Sequence, residues 1–221
     1  EYSALVASGS LSFHDAVRLV RARGSFMQEA VPFGKGAMAA VLGATPEALD
    51  DVCQRVSAEL GQVVSPANFN SPQQTVIAGD TEAVERACVL AREHGAKRTV
   101  NLPVSAPFHC SLMAPAAEKL APELAGVSFQ DANPPVLSNV EALPNHQGAR
   151  MAELLKKQVT APVRFTETVE QLVSLGVDRV LEVGPGQVLT GLVARIARRM
   201  RRGNFGCMGD LEEACSLVSN S

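Results

Sequence analysis

The residues with the clearest capacity for chemistry are His109 and Arg23. His109 lies in Asn101–Cys110, NLPVSAPFHC, where a strand-like run to Pro103 is broken by Ser105-Ala106-Pro107. Proline has no N–H and keeps its predecessor extended, so the ring falls on a loop fixed by a strand before it and, from Leu112, a helix after it. An imidazole there can serve as a general base. It can equally be a satisfied core histidine. Arg23 belongs to a helix running from Phe13 to about Ala30 with Ser12 as cap, whose apolar face is Phe13, Ala16, Val20, Phe26, Met27 and Ala30. At about 100° per residue, Arg18 and Arg21 point away, whereas Arg23 comes within about 20–30° of the middle of that face. A guanidinium so placed needs an anion, because an uncompensated buried charge costs several kcal/mol. That anion is either an internal Asp or Glu or a substrate carboxylate, which the planar fork of arginine can grip through two parallel hydrogen bonds.

The elements around these residues follow from periodicity and punctuation. Glu1–Ala7 reads as a continuing helix that ends near Gly9, with neither a methionine nor a cap before it, so the N-terminus is expected to lie upstream. From Gly36 to Pro103 the order is strand GAMAAVLG, helix TPEALDDVCQRVSAEL with Pro46 at its first position, strand QVVSPANFN, strand QTVIAG, helix TEAVERACVLAREHG and strand AKRTVNLP. This βαββαβ order is that of a ferredoxin-like unit, predicted for residues 34–103. A larger α/β domain is predicted from 1–33 and 104–221, with the unit inserted into it. That domain resumes with a helix from Leu112 to about Leu124, a strand over 134–140, helices Ala149–Gln158 and Phe165–Leu175 separated at Pro162, and the strand DRVLEVGPG. A helix Val188–Met200, a short strand NFGCM and a terminal helix from Asp210 complete it.

Composition narrows the function classes. With 221 residues, 46% hydrophobic and 19% charged, the chain can bury a core. A net charge of −3 excludes a generally basic nucleic-acid binder. The five cysteines, 53, 88, 110, 207 and 215, are scattered without a C-x-x-C, which predicts reduced thiols in a cytoplasmic protein and no metal site. No run approaches the roughly 18 apolar residues of a membrane span. Gly184-Pro185-Gly186 suggests a dinucleotide turn, but the next glycine is Gly191, too far for G-x-G-x-x-G, and Pro185 removes a donor. Arg195, Arg198, Arg199, Arg201 and Arg202 read as the end of a helix, either a solvated face or a docking patch for an acidic partner, and Lys97-Arg98 is a smaller pair of the same kind. Asn68, Asn70 and Asn139 lie near strand ends, where asparagine satisfies local backbone or lines a cleft; Asn139 is kept as a candidate substrate-binding residue. Cys110 reads as a buried neighbour rather than a nucleophile.

At these residues the chain resembles the malonyl-CoA:acyl-carrier-protein transacylases. The resemblance rests on EYSALVASG, AVRLVRARGSFMQEAV, GAMAAVLG, VVSPANFNSP, VIAG, AKR, LPVSAPFHC, PVRF and EVGPGQVLTGL, and so covers essentially the whole chain. It implies an α/β-hydrolase-like large domain with an inserted ferredoxin-like subdomain, and transfer of malonyl from malonyl-CoA to acyl carrier protein in fatty-acid synthesis without a cofactor. It further implies His109 as general base, Gln158 as the residue whose main-chain carbonyl orients it, and Arg23 as the malonyl clamp. Phe108 would exclude α-methylated substrates, and Arg195, more loosely Arg198, Lys97 and Arg98, would receive the carrier. In that family the nucleophilic serine of G-H-S-x-G immediately precedes Glu-Tyr-Ser-Ala-Leu, where this chain opens. Serine, oxyanion donors and the GQG segment are therefore expected upstream, Ser3 is not the nucleophile, and the residues given are expected to be inactive alone. A monomer is expected. The rival readings are a nucleotide-binding α/β protein, a non-catalytic carrier-binding module and a polyketide-type acyltransferase.

Overall fold

Two helices open the chain. In this computed structural model, which describes residues 1–219, α1 (Tyr2–Ala7) buries Leu5, and α2 (Phe13–Ala30) starts at Ser12, whose hydroxyl accepts the Asp15 N–H at 3.0 Å. That contact satisfies one of the donors a helix start leaves without an intrahelical partner. The buried stripe of α2 is Ala16, Leu19 and Met27. Phe13 and Val20, assigned to the core by spacing, are 74% and 49% exposed. The stripe is narrower than the sequence suggests because α5, its main neighbour, covers only one side of α2. Arg23 lies one turn from both Leu19 and Met27 and is half-buried.

The middle of the chain forms a sheet with two helices: β1 (Gly36–Leu42), α3 (Pro46–Leu60), β2 (Val64–Ser71), β3 (Gln74–Asp80), α4 (Thr81–Glu93) and β4 (Arg98–Asn101). The strands pair antiparallel in the order β2-β3-β1-β4. Alternation with period two gives the sheet two different faces. Ala39, Val41 and Ile77 pack with Leu49, Val52, Val56 and Val84 of the helices. Met38, Ala40, Val76 and Ala78 face the other way and pack with Cys110, beside His109. The face away from the helices thus becomes the floor under the histidine loop.

The chain continues through a 3-10 turn, Ser111–Met113, into α5 (Ala114–Ala125), a two-residue pair β5 (Val136–Leu137) and β6 (Pro144–Asn145), then α6 (Gly148–Thr160) and α7 (Phe165–Ser174). Leu5, Leu19 and Met27 join Leu120, Leu124, Leu155 and Val159 in one core, so α1, α2, α5 and α6 pack together. Last come β7 (Arg179–Val183), α8 (Val188–Ile196), β8 (Arg201–Phe205) and α9 (Leu211–Ser219).

Three sequence expectations are corrected. The strand over 134–140 shrinks to β5, because Ser138 turns the chain by accepting the Glu141 N–H and its carbonyl takes the Ala142 N–H. The helix predicted to Met200 ends at Ile196, and the last strand begins at Arg201 rather than in NFGCM. Both shifts have one cause: β8 pairs in parallel with β7 from Arg179↔Arg201 to Val183↔Phe205, and Met200 is buried against Val169 and Val193. Only Arg195 of the arginine run is therefore helical; Arg201 and Arg202 are on a strand.

Gly79 of β3 is where the sheet tolerates least change. A Cβ there would lie 2.0 Å from the main-chain oxygen of Val63. Gly79→Ala is expected to destabilise the protein by about 3 kcal/mol in chemical denaturation, since backbone must move; a change below about 0.5 kcal/mol would show the strands are not packed this way.

Candidate active site

His109 follows β4 and precedes α5, with φ at +61°, a left-handed conformation that non-glycine residues seldom adopt. Close packing on both sides imposes it. Pro107 sits so near Gly36 that a Cβ at Gly36 would come within 2.4 Å of the proline ring, and the Cys110 thiol donates to the Pro107 carbonyl at 3.1 Å. Cys110 is buried and its thiol is pushed up to about 11, chiefly by that burial, so it is no thiolate nucleophile.

The imidazole is held from α6. Its Nδ1 lies 2.9 Å from the main-chain oxygen of Gln158. A carbonyl oxygen only accepts, so Nδ1 carries the proton and Nε2 is left with its lone pair. Nε2 has no hydrogen-bond partner among the described residues. The carbonyl is free for a local reason. Gln158 is two residues from the end of α6, and the residue four further on, which would close a helical bond to its oxygen, is Pro162, which has no N–H. The spacing Gln158-x-x-x-Pro162 is the sequence signal for an available carbonyl, legible beforehand although spacing alone does not say what would use it.

Burial lowers the His109 pKa, the Gln158 carbonyl opposes that shift, and the positive charge of Arg23 lowers it further. Arg23 thus acts across the site on the histidine. It also acts on Glu1 and Tyr2, whose pKa values burial raises, that of Tyr2 to about 12. Glu1 accepts the Asn139 side-chain amide at 2.7 Å. Glu1 stands in the electrostatic range of Arg23 but not in an ion pair with it. Among the described residues the Arg23 guanidinium has no salt-bridge or hydrogen-bond partner, which leaves the internal-acid reading without an acid in contact. The structure therefore joins His109 to Gln158 and puts His109 and Glu1, which sequence reasoning did not single out, within the electrostatic range of Arg23. Phe108 is half-buried where the helical core meets the sheet face, beside the histidine.

The basic residues lie elsewhere and partly together. Arg195 donates to the Gln74 side chain at 3.1 Å; Gln74 pairs with Leu42, and Leu42 pairs with Arg98. One row across the sheet thus joins Arg195, from the far end of the chain, to Arg98, with Lys97 bonded through its N–H to the Leu42 carbonyl. Lys97, Arg98, Arg195 and Arg198 are exposed, and none is ion-paired among the described residues. At the glycine turn, Glu182 accepts from the N–H groups of Leu189 and Thr190 at 3.1 and 2.7 Å. A carboxylate therefore fills the helix start where a nucleotide phosphate would bind. Among the described residues no group of three His, Cys, Asp or Glu could hold a metal ion, and no helix is long and apolar enough to cross a membrane.

An imidazole with a bare Nε2, under the influence of a half-buried guanidinium without a contact ion, can take up a proton and attract an anion. Residues 1–205 match the acyl transferase domain, and the chain belongs to that family. Within it, the similarity is to malonyl CoA-acyl carrier protein transacylases: that of Escherichia coli O157:H7 is 52% identical over 196 residues, 89% of this chain and 63% of the relative. The chain thus spans about two-thirds of the length of such relatives or slightly less. The solved structure of the malonyl CoA-acyl carrier protein transacylase from Coxiella burnetii superposes with a TM-score of 0.95 at 40% identity, covering 99% of this chain and 69% of that one. A structure of a type II polyketide acyl-carrier protein in complex with its malonyl-transacylase superposes at 0.94, with 46% identity over 99% of this chain and 70% of that one.

The histidine is expected to titrate below the ordinary 6.5 when followed by NMR. Since the unfolded chain then binds the proton more readily than the folded one, stability should fall as pH drops through 6.5 toward the folded midpoint. A midpoint at or above 6.5 would mean the ring is neither buried nor under the influence of Arg23.

Proposed function

We propose that the protein transfers malonyl from malonyl-CoA to the phosphopantetheine thiol of acyl carrier protein, acting in the cytoplasm as a monomer. The observation that carries this reading is the Nδ1–H of His109 donating to the Gln158 carbonyl within reach of the charge of Arg23. Nε2 takes the proton of a serine hydroxyl as its oxygen attacks the thioester carbon; the C–S bond breaks, and the thiolate of coenzyme A leaves with that proton. In the second half the carrier's thiol gives its proton to Nε2, sulfur attacks the malonyl ester, and the serine oxygen is released and reprotonated. Arg23 holds the free carboxylate through both halves and so keeps the reacting carbonyl in place. A main-chain carbonyl orients the ring without placing a second charge in the site. Asn139 contributes by fixing Glu1 on the Arg23 side, and Phe108 restricts substituents on the malonyl α-carbon.

In this reading residues 34–103 are a ferredoxin-like subdomain inserted into an α/β-hydrolase-like domain of 1–33 and 104–221. The row from Arg195 through Gln74 and Leu42 to Arg98, with Lys97 and Arg198 beside it, then spans both and forms the landing surface for an acidic carrier. A polyketide carrier is the alternative partner, and the named complex among the structural relatives favours testing one.

In the full-length protein, Arg23→Ala should raise acetyl relative to malonyl transfer by about tenfold or more, because the carboxylate loses its charged partner; unchanged selectivity would remove Arg23 from that role. Changing Arg195 and Arg198 to Glu should raise KM for the carrier and leave KM for malonyl-CoA unaltered. If both rise equally, the row is not the landing surface.

A further inference from the structure

The acid that could close on Arg23 is present and is held elsewhere. Glu1 stands at the start of α1, yet its carboxylate takes no N–H of its own helix; Oε2 instead accepts from the Asn139 side-chain amide at 2.7 Å, 138 residues along the chain. Burial raises the Glu1 pKa, and against that act the amino group of Glu1 itself, the side-chain amide and main-chain N–H of Asn139, and the charge of Arg23. Where a peptide bond replaces that amino group, Asn139 and Arg23 remain. Two groups thus draw the same carboxylate, and of the two Asn139 has the contact.

Asn139 is able to hold it because its own position is settled by others. Its carbonyl accepts the Arg164 N–H at 3.1 Å, and the Arg164 guanidinium donates to the carbonyls of Val140 and Glu141 at 3.4 and 3.3 Å. Arg150 of α6 grips both carboxylate oxygens of Glu141 at 2.8 and 3.0 Å. These two arginines are half-buried, and each has a carboxylate partner, Glu141 for Arg150 and Glu167 for Arg164. Arg23 is half-buried as well and has none among the described residues.

We infer that Asn139 is a positioning residue that holds the Glu1 carboxylate off Arg23 and so keeps the guanidinium open to an incoming anion. Opposite charges in a partly buried site attract each other far more strongly than in water, and they close into a contact pair unless a competing partner intervenes. Asn139 is a neutral competitor. It satisfies the carboxylate by hydrogen bonding without cancelling its charge, so Glu1 offsets Arg23 over a distance while the planar fork stays unoccupied. The other groups on which Arg23 acts, the His109 ring and the Tyr2 hydroxyl, carry no negative charge at neutral pH and do not compete for it.

This rests on the reading of Arg23 as the clamp for a malonyl carboxylate, and the experiment separates the two claims. In the full-length protein, Asn139→Ala frees Glu1 to pair with Arg23. The preference for malonyl-CoA over acetyl-CoA, taken as the ratio of their kcat/KM values, should then fall about tenfold, because an internal acid occupies the clamp. Adding Glu1→Gln should restore the preference to within about twofold of wild type, since an amide forms no ion pair with the arginine. A loss that Glu1→Gln does not reverse, or an equal loss for both thioesters, makes Asn139 a structural residue only and overturns the inference. A crystal structure of the unliganded Asn139→Ala protein reads the pairing whatever the activity: Glu1 in contact with Arg23 is expected, and a carboxylate that stays apart from it refutes the inference. Pairing without a change in preference upholds the role of Asn139 and removes Arg23 as the malonyl clamp. Should the alanine variant not fold, Asn139→Asp takes its place, because the new carboxylate repels that of Glu1, and reversal by Glu1→Gln decides as before.

Discussion

One hydrogen bond, from Nδ1 of His109 to the main-chain oxygen of Gln158 at 2.9 Å, is the contact toward which several parts of the structure are arranged. It requires a helix that ends at a defined residue, which Pro162 ensures, and a loop that accepts φ of +61°, which the packing of Pro107 on Gly36 and of Cys110 on the sheet ensures. It also requires the two to keep their spacing. Residues 163–166 provide this through backbone bonds with β2, and the Thr166 hydroxyl adds a bond to the Phe69 oxygen at 3.0 Å. The sheet is therefore not a passive attachment. One of its faces supports the histidine loop, and its edge strand holds the segment that orients the ring.

Charge in the site is handled by restraint. Among the described residues no carboxylate pairs with the histidine, and burial together with Arg23 disfavours its protonated form. Glu1, whose own pKa burial raises, is engaged by Asn139 and feels the charge of Arg23, which opposes that rise. A guanidinium half-buried on the Leu19–Met27 stripe and left without a contact ion is costly in isolation. An anion brought to the site would relieve that cost. Along the row that joins Arg195 to Arg98, arginines and a lysine stay exposed and without ion pairs among the described residues.

Much of this could be read from the residues. Helical spacing placed Arg23 against the core although it misjudged Phe13 and Val20, because periodicity reports a stripe's direction and not how wide the covering neighbour is. The six elements between Gly36 and Asn101 were legible from their capping residues, Thr45, Pro46 and Gly95 among them, and their paired order follows that alternation. The arginine run misled, since nothing local distinguishes a helix that ends at Ile196 from one that reaches Met200; the parallel pairing of β8 with β7 decides it. The meeting of His109 with Gln158, 49 residues apart, was available through family resemblance and from no local pattern. The free carbonyl was written in Gln158-x-x-x-Pro162, but its user was not.

The central claim, that an imidazole fixed by a helix-end carbonyl removes a serine's proton, is tested most directly by the intact mass of the full-length protein quenched within one turnover of adding malonyl-CoA. Wild type should gain the mass of one malonyl group, located on a serine, while His109→Ala should remain unmodified over the same interval. Equal labelling of both proteins, or a malonyl group found on any residue other than serine, would contradict it.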